Sequence, residues 1–307
     1  MDYEKIVKEE RLIARQKKSA ASLSQVLDLN VVAPVAHIST SLRTEMRQVP
    51  SFDSSEPNAV ANFSLNISAT KDYRVGAVES VFYIPNAISP VQELQLMESI
   101  SCSAPHGSNV WKYLKNRRLQ SWGGNEENME GLPAWLSDIS VSLVKCGTFS
   151  ASDKPNHVLI NEYEAGSGII HHTDGPVYRD TVAILSLESP CLMTFKHKLE
   201  SHEIGHHGSD DVFSVLLQPR SILIFKEAVY THFMHGIENV RSDTIGASAP
   251  CLNVAAAGLT IGEEVSISRL TPDAKFYGMI ISKSTYVQQI TRGKRTSLTF
   301  RKLVGAF

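Results

Sequence analysis

Hydrophobic and polar positions alternate most regularly over His157 to Tyr163, HVLINEY, where Val158, Ile160 and Tyr163 are set among Leu159, Asn161 and Glu162. The β-branched residues of this run and the following turn, Ala165-Gly166-Ser167-Gly168, predict a strand. A second apolar run, Ile169-Ile170, ends in His171-His172-Thr173-Asp174-Gly175-Pro176. Further short strands are expected at Val81 to Ile84 (stopped by Pro85), Thr181 to Leu187, Cys191 to Phe195, Val212 to Gln218, Ser221 to Phe225 and Thr296 to Leu303. Ser189-Pro190 and Pro219-Arg220 supply turns between neighbours.

Helical spacing gathers nearer the N-terminus. Ser89 reads as an N-cap, Pro90 takes the first helical position and Gln92 completes a capping box, with Leu94, Met97 and Ile100 expected on one face. Pro133 opens another helix with the stripe Leu136, Ile139 and Leu143, which Gly147 can close. Residues 1 to about 27 read as a charged helix, whose Arg11, Arg15, Lys17 and Lys18 suit a solvated face. Many short strands with few helices predict a mainly β fold with flanking helices, a double-stranded β-helix or jelly roll. The stretch from about 48 to 72 is rich in Ser, Asn and Asp, so 1–72 is expected to be an extension and linker, partly disordered, with the main domain at 73–307. Weak patterning over about 238–293 is too long for an ordinary connection and reads as an insertion.

Composition adds limits. A net charge of -2 excludes a uniformly basic nucleic-acid binder but leaves room for a local basic patch. Cys102, Cys146, Cys191 and Cys251 lie far apart, a spacing that suits reduced thiols rather than a zinc cluster or a disulfide framework. No apolar run reaches the length of a membrane span, and the N-terminus lacks a signal-peptide core, so a monomer of cytoplasm and nucleus is expected.

Two stretches carry candidate chemistry. In Val110 to Gly124, Trp111, Tyr113 and Trp122 are interleaved with Lys112, Lys115, Arg117 and Arg118. Rings that stack on bases and cations that neutralise phosphates suit a nucleic-acid-facing hairpin, although a half-buried strand with a charged outer face has the same composition. In the second stretch, His172 and Asp174 are i and i+2, so in a strand they share a face, as two of the three ligands in a facial triad for non-haem iron. His232 and His235 both qualify as the third, and His235 precedes Gly236 at a strand end. Arg295 and Arg301 share one face of the last strand, and an arginine fork is suited to a dicarboxylate. The histidines of Lys196 to Asp211 sit among Gly, Ser and acidic residues and read as a solvated loop.

The ordered set NEY (Asn161 to Tyr163), HTD (His172 to Asp174), HGI (His235 to Ile237) and RTSLTFR (Arg295 to Arg301) resembles the AlkB family of Fe(II)/2-oxoglutarate dioxygenases. The resemblance covers roughly 76–237 and 293–303. It implies Fe(II), 2-oxoglutarate and dioxygen as cofactor and co-substrates, with His172, Asp174 and His235 as iron ligands. It implies Arg295 on the distal carboxylate of 2-oxoglutarate, Arg301 near the keto-acid end, and Asn161 and Tyr163 as further hydrogen-bonding partners. His171 would point away. The implied reaction splits 2-oxoglutarate to succinate and CO2 and releases an N-methyl group as formaldehyde. The implied partner is nucleic acid with an unpaired or flipped base, and Trp111, Lys115, Arg117, Arg118 and Trp122 would form the lid over it. The same chemistry on a protein side chain, or a non-catalytic nucleic-acid-binding module, are the alternatives. Gly175-Pro176 departs from the acidic residue that some repair relatives carry there, so no base preference is implied.

Overall fold

The computed structural model describes residues 63–102, 111–124, 131–198, 212–246, 249–259, 267–269, 279–281 and 288–304, which lie within the unit Val60–Phe307. The expected N-terminal helix and most of the His-rich tract fall outside the described residues.

Among these residues, seven strands form one antiparallel sheet in the order β1 (Val81–Ile84), β9 (Ile222–Lys226), β6 (Tyr178–Leu187), β15 (Arg295–Leu303), β4 (His157–Tyr163), β3 (Arg118–Gly123), β2 (Lys112–Tyr113). Four form a second, β5 (Ile169–His172), β10 (Phe233–Ile237), β7 (Cys191–His197), β8 (Val212–Leu217), again antiparallel throughout. β11 (Ser242–Ile245) pairs with β14 (Gln288–Thr291), and β12 (Ile267–Arg269) with β13 (Met279–Ile281). The stretch of weak patterning is thus bracketed by a regular ladder.

Alternation decides which face of the large sheet meets what. Val158, Ile160, Ala183, Leu185, Ile222, Ile224, Leu298 and Phe300 form its outer face. Two helices cover that face: α1 (Pro90–Cys102), through Leu96 and Ile100, and α2 (Ala134–Lys145), through Trp135, Leu136, Ile139 and Leu143. Val182, Ile184, Leu223 and Phe225 point the other way and pack on Met193, Phe195, Phe213 and Val215 of the small sheet. Two antiparallel sheets closed on one apolar core, with helices behind the larger, make the jelly roll that was expected.

Local signals hold in detail. Ser89 and Gln92 form the reciprocal capping box at the start of α1, with Ser89 N–H on Gln92 Oε1 at 2.8 Å and Gln92 N–H on Ser89 Oγ at 3.2 Å. The buried stripe of α1 is Leu96 and Ile100 with Met97 beside them, not Leu94, which is 71% exposed. Positions 96 and 97 lie one helical turn before Ile100, whereas 94 is rotated off that face. Phe63 is buried in the same core with Leu65 and Ile67 against it, so the packed chain includes residues that composition assigns to the linker.

The open edge of β8 is covered by residues 250–259. Ser214 bridges Cys251, and the buried Asn253 amide accepts from Leu216 N–H at 2.9 Å and donates to Leu216 C=O at 2.8 Å, as a neighbouring strand would.

Candidate active site

The inner face of the large sheet brings together residues far apart in sequence. Arg295 is the cross-strand partner of Tyr163, Ser297 of Asn161, and Arg301 of His157. Each is an odd-numbered position on an antiparallel pair, so Asn161, Tyr163, Arg295 and Arg301 project from one face. All four are buried. Arg295 lies over the Tyr163 ring at 5.8 Å and donates to Ser186 Oγ at 2.9 Å. Beside it opens a small cleft lined by Tyr163, Cys191, Ile237, Arg292, Gly293 and Arg295. A buried guanidinium at the edge of a cleft suits a carboxylate, which its planar fork can bind through two hydrogen bonds.

The small sheet supplies the second half. His172 on β5 is the cross-strand partner of His235 on β10, and the two imidazole rings stand 4.4 Å apart. Asp174 follows β5, and one ligand atom from each of His172, Asp174 and His235 lies within 4.8 Å of the others. His172 Nδ1 is 2.9 Å from Ile170 C=O, which as a donor leaves the Nε2 lone pair for a metal. Burial pushes the His172 imidazole below its usual range and brings His235 to about 3. Burial works against the Asp174 charge, but the Arg301 guanidinium, paired and hydrogen-bonded with it, outweighs burial and holds the carboxyl below its usual range. Neutral imidazoles beside an ionised carboxylate form a donor set ready for a cation. Arg301 donates to Asp174 Oδ1 at 2.6 Å, while Asp174 Oδ2 is buried with no hydrogen-bond partner among the described residues. A divalent cation would satisfy that oxygen, and two His with one carboxylate is the donor set for Fe(II).

His232 was the other candidate for the third ligand. It ends a short helix, α3 (Glu227–His232), and its ring stacks on His197 at 6.2 Å, outside the cluster. Tyr230 in the same helix donates to Gly175 C=O at 2.6 Å and fixes the turn after Asp174.

The hairpin β2–β3 forms where expected, but its side chains divide differently. Trp122 is half-buried against the helix-side core and donates to Gln120 Oε1 at 3.0 Å. Trp111 packs there too, with the Arg118 guanidinium 4.3 Å over its ring. Arg118 forks onto Glu162 at 2.6 and 2.9 Å, and Lys294 also reaches Glu162 at 3.1 Å. Trp111, Arg118 and Trp122 therefore hold the hairpin to the domain, contrary to their expected place in a lid surface. Arg117 turns inward and donates from Nε to Asn161 Oδ1 at 3.1 Å. Lys112, Tyr113 and Lys115 are the exposed side chains of the hairpin arm and its turn.

Several residues were not singled out by sequence reasoning. His157, at the start of β4, sits behind Arg301, with the Arg301 Nη2 to His157 Nδ1 distance 3.5 Å and His157 Nε2 to Ser121 Oγ 3.0 Å. Arginine can only donate, so Nδ1 accepts and Nε2 carries the proton to Ser121. Burial, helped by the Arg301 charge, lowers this imidazole to about 3. Its signal was present, since His157 shares the period-two register of Asn161 and Tyr163. The buried fork of Arg292 on Asp243, which also accepts Leu192 N–H at 3.0 Å, ties the segment after His235 to the one before Arg295. Gly124, with φ of +73°, closes β3 where a Cβ would stand 2.7 Å from the His157 ring.

The chain belongs to the 2OG-Fe(II) oxygenase superfamily, whose family model matches residues 97–301. It is accordingly a dioxygenase that uses Fe(II), 2-oxoglutarate and dioxygen, and the His172–Asp174–His235 cluster fits that cofactor. Within the superfamily, the phrases NRRLQSWGG, NHVLINEY, HTDGPVY and SVLLQPRSILIF resemble the AlkB homologue 6 branch. The chain is 34% identical over 194 residues to the Danio rerio protein named "Probable RNA/DNA demethylase ALKBH6", covering 61% of this chain and 80% of that protein. It is 29% identical over 233 residues to the Mus musculus "tRNA (carboxymethyluridine(34)-5-O)-methyltransferase ALKBH8", covering 72% of this chain but only 30% of that protein. A solved structure described as "The structure of OsALKBH1" superposes with a TM-score of 0.44 at 13% identity, over 75% of this chain and 100% of that chain.

Proposed function

We propose that this dioxygenase removes alkyl groups oxidatively from nucleic acid. His172, Asp174 and His235 would hold the iron, and Arg295, Asn161 and Tyr163 the 2-oxoglutarate. The observation that carries the reading is the His–Asp–His cluster, whose Asp174 accepts from Arg301 of the same strand face that carries Arg295 opposite Tyr163. When bound, iron and 2-oxoglutarate supply the oxidation of a C–H bond by dioxygen.

The chain's own residues do the rest. Arg295 pairs with the distal carboxylate of the co-substrate. Arg301 holds Asp174 ionised and oriented, with His157 and Ser121 fixing Arg301 from behind. The hairpin rim at the edge of the large sheet carries Lys112, Tyr113 and Lys115, two cations beside an exposed ring, which suits a phosphate backbone with an unstacked base. The printed names of the ALKBH6 and ALKBH8 relatives, a demethylase of RNA or DNA and a tRNA-modifying enzyme, support this substrate class.

The test is an anaerobic titration with Fe(II) and 2-oxoglutarate, then succinate and formaldehyde assays on methylated oligonucleotides of RNA and DNA. Formaldehyde stoichiometric with succinate is expected, and it should vanish in His172→Ala. Turnover on a protein extract with none on any oligonucleotide would replace nucleic acid with a protein side chain as the substrate.

A further inference from the structure

We propose that Arg117 is a positioning residue that sets the polarity of the Asn161 amide and thereby couples the β2–β3 hairpin to co-substrate binding. The proposal rests on the reading of Asn161 as a co-substrate contact.

Neighbouring arginines of the hairpin go to opposite faces of the large sheet. Arg118 opposes Glu162 across the β3–β4 ladder and forks onto it on the helix side. Arg117, one residue earlier, falls on the inner face and reaches Asn161, whose cross-strand partners are Leu119 and Ser297. The first arginine anchors the hairpin. The second carries its position to Asn161 on the inner face.

The chemistry of the pair is directional. An asparagine amide presents an acceptor oxygen at one end and two N–H donors at the other, whereas a guanidinium has only donors. Arg117 Nε at 3.1 Å therefore selects the amide oxygen, and the N–H donors of Asn161 are the end left for an anionic co-substrate. Donors are what a carboxylate or keto oxygen requires. Without Arg117 the amide could turn over and present its oxygen to an anionic co-substrate. Asn161 lies two residues from Tyr163 on the same face, and Tyr163 is opposite Arg295, so all three share one surface.

The backbone completes the link. Leu114 N–H donates to Arg117 C=O at 2.8 Å, closing the hairpin turn at the residue whose side chain enters the site. A shift of the turn moves the Arg117 guanidinium and frees the Asn161 amide. Co-substrate bound to Asn161 should in return hold the turn in place, because coupling between two sites is reciprocal. The surface that carries Lys112, Tyr113 and Lys115 would then be most ordered once 2-oxoglutarate is bound.

The experiment uses the full chain loaded with Mn(II), which keeps the site redox-silent. It measures 2-oxoglutarate affinity by calorimetry and amide hydrogen exchange over 112–123 with and without 2-oxoglutarate. In the native protein 2-oxoglutarate should slow exchange across the hairpin. Arg117→Gln, which lets the Asn161 amide turn over, should weaken 2-oxoglutarate binding about tenfold, the worth of one charge-assisted hydrogen bond, and erase that protection. Arg117→Lys keeps a donor-only group and should restore most of the affinity. Asn161→Asp converts the contact to an ion pair, so the hairpin should be protected without 2-oxoglutarate while binding of 2-oxoglutarate is lost. If Arg117→Gln binds 2-oxoglutarate as the native protein does, with the hairpin still protected, the coupling is refuted and the site assignment survives. If the native protein binds no 2-oxoglutarate at all, the site assignment itself falls and this proposal with it.

Discussion

On the outer face of the large sheet, β4, β6, β9 and β15 present Val158, Ile160, Leu185, Ile224, Leu298 and Phe300 to two helices. On the inner face, β4 and β15 present His157, Asn161, Tyr163, Arg295 and Arg301 to the site. Both faces are buried, yet one excludes water around hydrocarbon and the other around charge. A buried cation is costly unless a carboxylate or ligand meets it, so the arginines of the inner face are tolerated for what they bind. Stability and chemistry are thus assigned to alternate residues of one strand. Substitutions on the two faces should separate them.

The largest difference is expected from His172→Ala. Turnover should fall to background while the metal-free protein melts near the native temperature. A large loss of melting temperature would show that the cluster is also a structural element. Next, Phe300→Ala on the outer face should cost about 3–5 kcal/mol in a denaturant titration, with 2-oxoglutarate affinity of the folded protein unchanged. Changed affinity would mean that the faces communicate. Arg301→Met should weaken metal affinity by about 10–100-fold, as loss of a partner that orients a ligand does, read by competition with a chelator. Native affinity in that variant would confine Arg301 to the co-substrate. The smallest effect is expected at the rim, where Lys115→Ala should lower the salt dependence of oligonucleotide binding by about one in slope. An unchanged slope would move the substrate surface off the hairpin.

How much of this was legible in the sequence follows from the same division. The alternation in HVLINEY and RTSLTFR fixes which residues share a face, and the structure puts Asn161, Tyr163, Arg295 and Arg301 on one, but their expected roles toward a co-substrate came from the family resemblance and not from the alternation. Register between strands is not a local property. Nothing around Arg118 announces Glu162, its partner 44 residues later, and without that ion pair the guanidinium looks available for phosphate. Trp111 and Trp122 misled for a related reason: an aromatic ring suits a core as well as a base, and the helix-side core claims both. His232 and His235 could not be separated by type or spacing, because the choice is made by the pairing of β10 with β5, which sets His235 opposite His172. The linker was drawn too long because the alternating Phe63, Leu65 and Ile67 are diluted by Ser and Asn.

Asn253 has a consequence for how the protein behaves in company. Its amide engages both the N–H and the C=O of Leu216, so the segment it belongs to occupies the rim of β8 with a pattern another chain could otherwise copy. An exposed strand rim is a template for intermolecular pairing, and β8 is apolar along most of its length. Loosening this cover would leave the catalytic cavity intact and put crowding at risk instead. The protein would fail by recruiting its own kind, at a rate that rises with concentration.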